Sequence, residues 1–246
     1  MLVFIYYSLI QGLSEFLPVS SSGHLFILKN IFSSGDDLLP FFVFLHIATL
    51  LAVFVFLYKE IFTALKNKKV ISYLIVATAI TALLGLAIDK ILSRYFTNNH
   101  FIFFLLLING FILLTARRLK GSRELADISV KDGIILGVLQ GFSFLPGISR
   151  SGITIIGLLA RKFKPKTAFS LSFIMSVFPI AGTFLFKIHS LTALRLSPLI
   201  LTLSFLVAFI VGLFSLFLVK KALIMKKFIY FGYYCIILAI TGLFIY

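Results

Sequence analysis

Long apolar blocks alternate with short polar ones along the whole chain. Six blocks can cross about 30 Å of hydrocarbon as helices: residues 41–58, 70–88, 101–116, 167–187, 198–219 and 228–246. Apolar residues fill these blocks rather than forming one stripe, which is the pattern of helices whose outer solvent is lipid. Block 101–116 is the shortest and is expected to borrow residues at its ends. Pro40, Pro165 and Pro198 stand at or just before block starts, where a missing N–H costs little. Pro179 falls inside a block and predicts a kink.

Two other apolar regions, 1–31 and 133–162, are interrupted midway by Pro, Ser and Gly. Each half has about ten to thirteen residues, too few to cross alone. They read as re-entrant helical hairpins, because irregular backbone at membrane depth survives only inside protein or against a wet cavity. The alternative is one broken but continuous span in each region. Positive charge separates the two readings. With hairpins that return to their own side, seventeen Lys and Arg fall in segments 59–69, 117–131, 161–166 and 220–227. Five fall on the opposite side: Lys29, Lys90, Arg94, Lys187 and Arg195. The first side is then cytoplasmic and both termini lie outside. A single crossing in either region would scramble this separation.

Composition agrees with a membrane chain. It is 61% hydrophobic and 13% charged, against roughly a quarter charged in soluble domains. A net charge of +15 would suggest nucleic acid in a soluble protein. Here the cations sit in short loops between apolar blocks, so topology explains them and no nucleic-acid partner is expected. The single cysteine, Cys235, rules out a disulfide within the chain and reads as a small core residue. The first ten residues, MLVFIYYSLI, lack a basic stretch and a small-residue cleavage site, so no signal peptide is expected.

The two interruptions resemble each other. Residues 11–23 read QGLSEFLPVSSSG and residues 140–152 read QGFSFLPGISRSG. Both begin Gln-Gly, contain Phe-Leu-Pro and end Ser-x-Ser-Gly, with a one-residue offset inside. Three spans follow each copy, so the second copy enters from the opposite face. That is an inverted-topology repeat, whose broken segments meet near the bilayer midplane. The expected fold class is an all-α polytopic membrane protein: six transmembrane helices plus two re-entrant helical hairpins in an inverted repeat. The chain forms one membrane domain, 1–246, with repeats at about 1–116 and 133–246. Aligned on Gly23 and Gly152, Ser21 pairs with Arg150.

The polar residues in these interruptions suit phosphate chemistry. Gln11 and Glu15 are four apart and share a helix face. Ser20, Ser21, Ser22 and Gly23 lead into a helix N-terminus, where hydroxyls and free N–H groups bind anions. Ser149, Ser151 and Thr154 do the same in the second copy. Ser21 and His24 are three apart, within reach on one helical turn, as a nucleophile and base or as two phosphate contacts. Arg150 is a planar cation that can grip a phosphate with two parallel hydrogen bonds. Glu15 can bind a divalent cation, take a proton or pair with Arg150. Blander uses exist: Glu–Arg pairs can glue a bundle, intramembrane hydroxyls often bond only backbone, and His46 alone reads as a packed core residue.

QGLSEFLPVSSSGHL and PGISRSGITI resemble the two signature motifs of the bacitracin-resistance-type undecaprenyl-diphosphate phosphatases. Those run Glu/Gln-Gly-x-x-Glu-Phe/Trp-Leu-Pro-Val-Ser-Ser-x-Gly-His and Pro-Gly-x-Ser-Arg-Ser-Gly-x-Thr. Chain length and the layout of hairpin plus three spans fit the family throughout. The resemblance implies hydrolysis of a polyprenyl diphosphate to the monophosphate and phosphate, which recycles the lipid carrier for cell-wall and surface polymers. It carries functional roles to Glu15, Ser21, His24 and Arg150. Gln11 stands where many members have Glu, which removes one carboxylate from this turn. His46 and Thr49, in HIATLLA, resemble the family's HLGTLLA stretch.

The expected catalytic set is therefore Ser21, His24, Glu15 and Arg150. Gln11, Ser20, Ser22, Gly23, Ser149, Ser151 and Thr154 are expected to bind substrate. Glu15 is the expected ligand of a divalent cation, Mg2+ or Ca2+. The site is expected to open to the outer face of the cell membrane. Its partners are the polyprenyl diphosphate and membrane lipids, and a homodimer is compatible with the chain. Ser21 is the expected nucleophile with His24 as base or acid; direct attack by water is the other route. Two further functions stay open on residues alone: a polyprenyl-phosphate flippase using the same anion site, and a purely structural membrane protein.

Overall fold

The computed structural model describes residues 1–32, 38–95, 99–194 and 196–245. Among these residues its regular structure is helical, apart from one isolated bridge between Arg123 and Phe163. The first hairpin is α1 (Leu2–Ser14) and α2 (Ser21–Ile31). It is followed by α3 (Leu39–Phe56), the short α4 (Tyr58–Leu65), α5 (Lys68–Tyr95) and α6 (Asn99–Leu114). The second hairpin is α7 (Val130–Phe142) and α8 (Arg150–Ala160). Then come α9 (Pro165–Lys187), α10 (Pro198–Ile224) and α11 (Ile229–Ile245).

Five helices, α3, α5, α6, α9 and α10, are long and apolar enough to cross a membrane. As expected, the third borrows from its flanks, and its span runs His100–Arg118 by adding a short 3-10 turn. The sixth expected span is α11, whose 17 residues stand at the lower end of what a bilayer needs. The four hairpin arms have 11 to 13 residues each, too short to cross. Pro179 lies inside α9, and the helix continues through it. Arg195, counted with the outer cations, lies outside the described residues.

The packing exchanges partners between halves. Arm α1 lies along α10, and its counterpart α7 lies along α5. Helix α6 lies along α11, the third span of each half against the other. Glycine makes the arm contacts close. A Cβ on Gly12 would come within 2.8 Å of the Ala208 carbonyl oxygen, and one on Gly137 within 2.8 Å of that of Ala77. Without a hydrophobic drive between helices in lipid, such small-residue contacts carry helix association.

On the side with the denser positive charge, the second hairpin is anchored by Asp132, which is fully buried. Its carboxylate accepts from Arg123 Nη1 and Nη2 at 3.1 and 2.7 Å, and from Arg161 Nε at 2.7 Å. Ser129 adds its N–H and hydroxyl at 3.0 and 2.7 Å, closing a capping box at the start of α7. Burial alone would raise this carboxyl; the hydrogen bonds from Arg123, Arg161 and Ser129 outweigh it and bring it down to about 2. The node fixes both ends of the hairpin, and so the depth at which its turn sits.

Candidate active site

The two turns are built alike. In the first, the Ser20 hydroxyl caps α2 by accepting the Gly23 N–H at 3.4 Å and lies 3.1 Å from the Ser22 hydroxyl. In the second, Ser149 caps α8 by accepting the Gly152 N–H at 3.2 Å and lies 3.1 Å from the Ser151 hydroxyl. Ser21 and Arg150 are the first residues of their helices, in keeping with their alignment across the repeat. The turns differ in where the chain reverses. Gly147 takes the left-handed region at φ 104° in the second, whereas Ser20 takes it in the first at φ 69°. A residue with a Cβ is strained there, so the cap of α2 is held under tension next to Ser21.

The turns touch. The Gly147 N–H donates to the Ser22 hydroxyl at 3.4 Å. Arg150 Nη1 lies 3.6 Å from Glu15 Oε1. That is an ion pair beyond hydrogen-bond range. Among the described residues no protein acceptor takes a hydrogen bond from the Arg150 side chain, so its donor fork is open to an anion.

Glu15, at the end of α1, is the hub. Its side chain is 5% exposed. Oε2 accepts from the Ser21 hydroxyl at 2.9 Å and from Gln11 Nε2 at 3.1 Å. His46 Nε2 stands 3.6 Å from the same oxygen and 3.5 Å from Gln11 Nε2. His46 Nδ1 is 2.7 Å from the Phe42 carbonyl oxygen, which can only accept, so that nitrogen carries the proton and Nε2 faces Glu15. His46 thus belongs to the constellation rather than to the packed core. Thr49, its neighbour in the HIATLLA stretch, returns its hydroxyl to the His46 carbonyl at 3.1 Å.

His24 has other partners than Ser21. Its Nδ1–H donates to the Ser20 carbonyl at 2.8 Å, and its Nε2 accepts the Tyr234 hydroxyl at 2.7 Å. The two rings stack at 5.7 Å and 12°. The base in hydrogen-bond contact with Ser21 is therefore Glu15. Three-residue spacing brings His24 to the same end of α2 as Ser21 but turns it toward α11. Tyr234, which sequence reasoning missed, lies 210 residues away in an apolar block with no motif to mark it.

Thr154 is committed to structure around the site. Its hydroxyl donates to the Arg150 carbonyl at 2.7 Å and lies 2.6 Å from the buried Ser172 hydroxyl. Thr154, Ser151, Ser172 and Ser176 line a small cavity with Glu15 and Arg150. The second copy supplies no carboxylate of its own. Its Gln140 donates to Thr81 at 3.2 Å and Thr81 to the Gly137 carbonyl at 3.1 Å, so the mate of Gln11 braces the hairpin instead.

Among the described residues no three His, Cys, Asp or Glu converge as a metal cage. Gln11 meets the Glu15 carboxylate through its Nε2, and its buried Oε1 has no hydrogen-bond partner. One carboxylate and one amide oxygen suit a hard cation that takes its other ligands from substrate phosphates and water. The donor set fits a cation shared with a diphosphate, not one held by protein alone.

A family model described as "Bacitracin resistance protein BacA" matches residues 4–241. A Thermosipho africanus protein named undecaprenyl-diphosphatase is 39% identical over 245 aligned residues, covering 96% of this chain and 97% of its own length. One of the same name from Thermosipho melanesiensis is 36% identical, covering 94% of each chain. Another from Methanococcus vannielii is 37% identical, covering 96% of each. Matched along nearly its whole length, with both motifs brought to one site, the chain belongs to the bacitracin resistance protein BacA family.

Proposed function

We propose that the chain hydrolyses a polyprenyl diphosphate, of the undecaprenyl type named in its relatives, to the monophosphate and inorganic phosphate. It is a multi-pass membrane phosphatase that returns the lipid carrier to use in cell-wall or surface polymer synthesis. One observation carries the reading. A serine hydroxyl that opens one half-helix donates to a carboxylate, and an open guanidinium from the inverted copy stands beside that carboxylate. A transporter needs the anion clamp but not a hydroxyl bonded to a base, and the flippase alternative finds no support among the relatives' names.

Each residue has a distinct task. Arg150 and the N–H groups at the starts of α2 and α8 hold the phosphates, where the helix dipoles add positive potential. Ser21 Oγ attacks the terminal phosphorus while its proton passes to Glu15 Oε2. The bond from phosphorus to the bridging oxygen breaks, and the polyprenyl monophosphate leaves. Water then attacks the phosphoserine and gives a proton to His24 Nε2; the bond from phosphorus to Ser21 Oγ breaks, Oγ takes back its proton from Glu15, and free phosphate departs. His24 Nε2, which accepts the Tyr234 hydroxyl and carries no proton, exchanges that hydrogen bond for one from the attacking water and serves as its base. Gln11 and His46 orient Glu15. Glu15 and Gln11 Oε1 would hold a divalent cation, which when bound would supply charge neutralisation for the diphosphate.

By the distribution of Lys and Arg, both chain ends and the mouth of the site face outward, with the prenyl tail in lipid. The test is phosphate release from polyprenyl diphosphate by the purified chain, with and without a chelator. Release that the chelator suppresses is expected. Absence of release under both conditions refutes the activity, and chelator-insensitive release refutes the cation.

A further inference from the structure

Asn109, on α6, belongs to neither motif, yet it touches both turns. It is fully buried. Its Nδ2–H group donates to the Pro18 carbonyl at 3.0 Å, and its Oδ1 accepts the Ser149 N–H at 3.0 Å. Pro18 stands three residues before Ser21, and Ser149 immediately before Arg150. Cys235, on α11, closes the knot: its sulfur is 3.4 Å from Asn109 Nδ2 and 3.8 Å from the Pro18 oxygen. One short side chain therefore ties the backbone of the nucleophile's turn to the backbone of the clamp's turn.

The chemistry of the two backbone groups dictates the residue. A buried carbonyl needs a donor and a buried N–H needs an acceptor. They are a side chain's width apart, on segments far apart in sequence. Only a short amide offers both functions at that span. Aspartate keeps the acceptor and loses the donor, leucine has neither, and glutamine adds a methylene that would force the turns apart.

We infer that Asn109 is a positioning residue for phosphate release, setting the separation between the Ser21 hydroxyl and the Arg150 guanidinium. The inference rests on the reading that these two groups act on one diphosphate. Reacting groups must be held within a fraction of an ångström, and a misplacement of about 1 Å can cost about a hundredfold in rate. Asn109 touches neither substrate nor nucleophile, so its effect runs through the turns.

The test compares Asn109→Leu with Thr81→Val in purified protein. Thr81, on α5, is also buried and also bonds a hairpin carbonyl, but its two partners, Gly137 and Gln140, lie on arm α7 and not in either turn. Both variants should melt at lower temperature. Asn109→Leu should lose about a hundredfold in kcat, with KM changed less than fivefold, while Thr81→Val keeps kcat within threefold of wild type. Asn109→Asp, which keeps the Ser149 bond, should lie between wild type and Asn109→Leu. If Asn109→Leu does not fold, Asn109→Asp decides by the same measure, with about a tenfold loss expected. Wild-type kcat in a folded Asn109 variant overturns the inference, as does an equal loss in Thr81→Val. Phosphate release by wild type that Ser21→Ala abolishes keeps the phosphatase reading intact whichever way Asn109 falls; no release by wild type sinks that reading instead.

Discussion

Glu15→Gln is the most informative single change to the proposed chemistry. It keeps the shape of the side chain and its capacity to accept the Ser21 hydrogen bond. It removes the negative charge and the basicity. At 3.6 Å from Arg150, a full charge pair attracts by about 5 kcal/mol at an effective dielectric of 20. Arg150 is 27% exposed, so solvent screening reduces this to the order of 1–2 kcal/mol. The folded state therefore loses little, and the melting temperature should hold. The rate should not. A positioned general base contributes about a hundred- to ten-thousandfold, and glutamine cannot take the Ser21 proton. Releasing Arg150 from its counter-charge frees the clamp for phosphate while the shared cation loses a ligand, so KM is pulled both ways and kcat at saturating cation is the diagnostic quantity. Phosphate release measured across substrate concentration separates the two quantities. A kcat loss below about tenfold, or a rise in KM with kcat unchanged, would refute Glu15 as the base for Ser21.

Two further changes test the supporting contacts. Tyr234→Phe keeps the ring stacked on His24 and removes a hydroxyl that Nε2 must release before it takes a proton; a resting-state hydrogen bond of about 1.4 kcal/mol predicts turnover up to about tenfold higher, and a loss of turnover would contradict the exchange. The Asp132 carboxyl is depressed in the folded protein, so its contribution to stability is present above its unfolded value near 4 and is lost as pH falls toward 2. Thermal unfolding followed from pH 5 to pH 2 should fall steeply in wild type and more gently in Asp132→Asn; parallel curves would remove Asp132 from that window.

Much of this was legible in the chain. The apolar blocks gave the spans because lipid demands about twenty apolar residues per crossing, and the interrupted regions gave the hairpins because halves of that length cannot cross. The repeat gave the site, since Ser21 and Arg150 align only when the two interruptions are read as copies. What sequence could not carry was which way a side chain turns once its helix is packed. Three-residue spacing permitted Ser21 to meet His24, but spacing fixes only a shared face. Neighbouring helices then decided the partners: Glu15 for Ser21 and Tyr234 for His24. His46 was marked only by the resemblance of HIATLLA, with no role attached, because the group it faces lies on a different helix. Asn109 was invisible for the same reason. A single amide in an apolar run acquires meaning only when two distant backbones arrive at it. Asp132 sat in a loop-to-helix start that reads as an ordinary cap, and its two arginines come from either side of the hairpin.

The account stands on two groups from opposite halves acting on one diphosphate. Its most direct test is phosphate release from polyprenyl diphosphate by purified wild type, Ser21→Ala and Arg150→Lys, in bilayers and at matched fold integrity. Ser21→Ala should lose at least about a hundredfold in kcat, the scale of a nucleophile. Arg150→Lys, which keeps the charge but not the fork, should raise KM at least about tenfold. Near-wild-type kinetics in either variant would contradict a shared site.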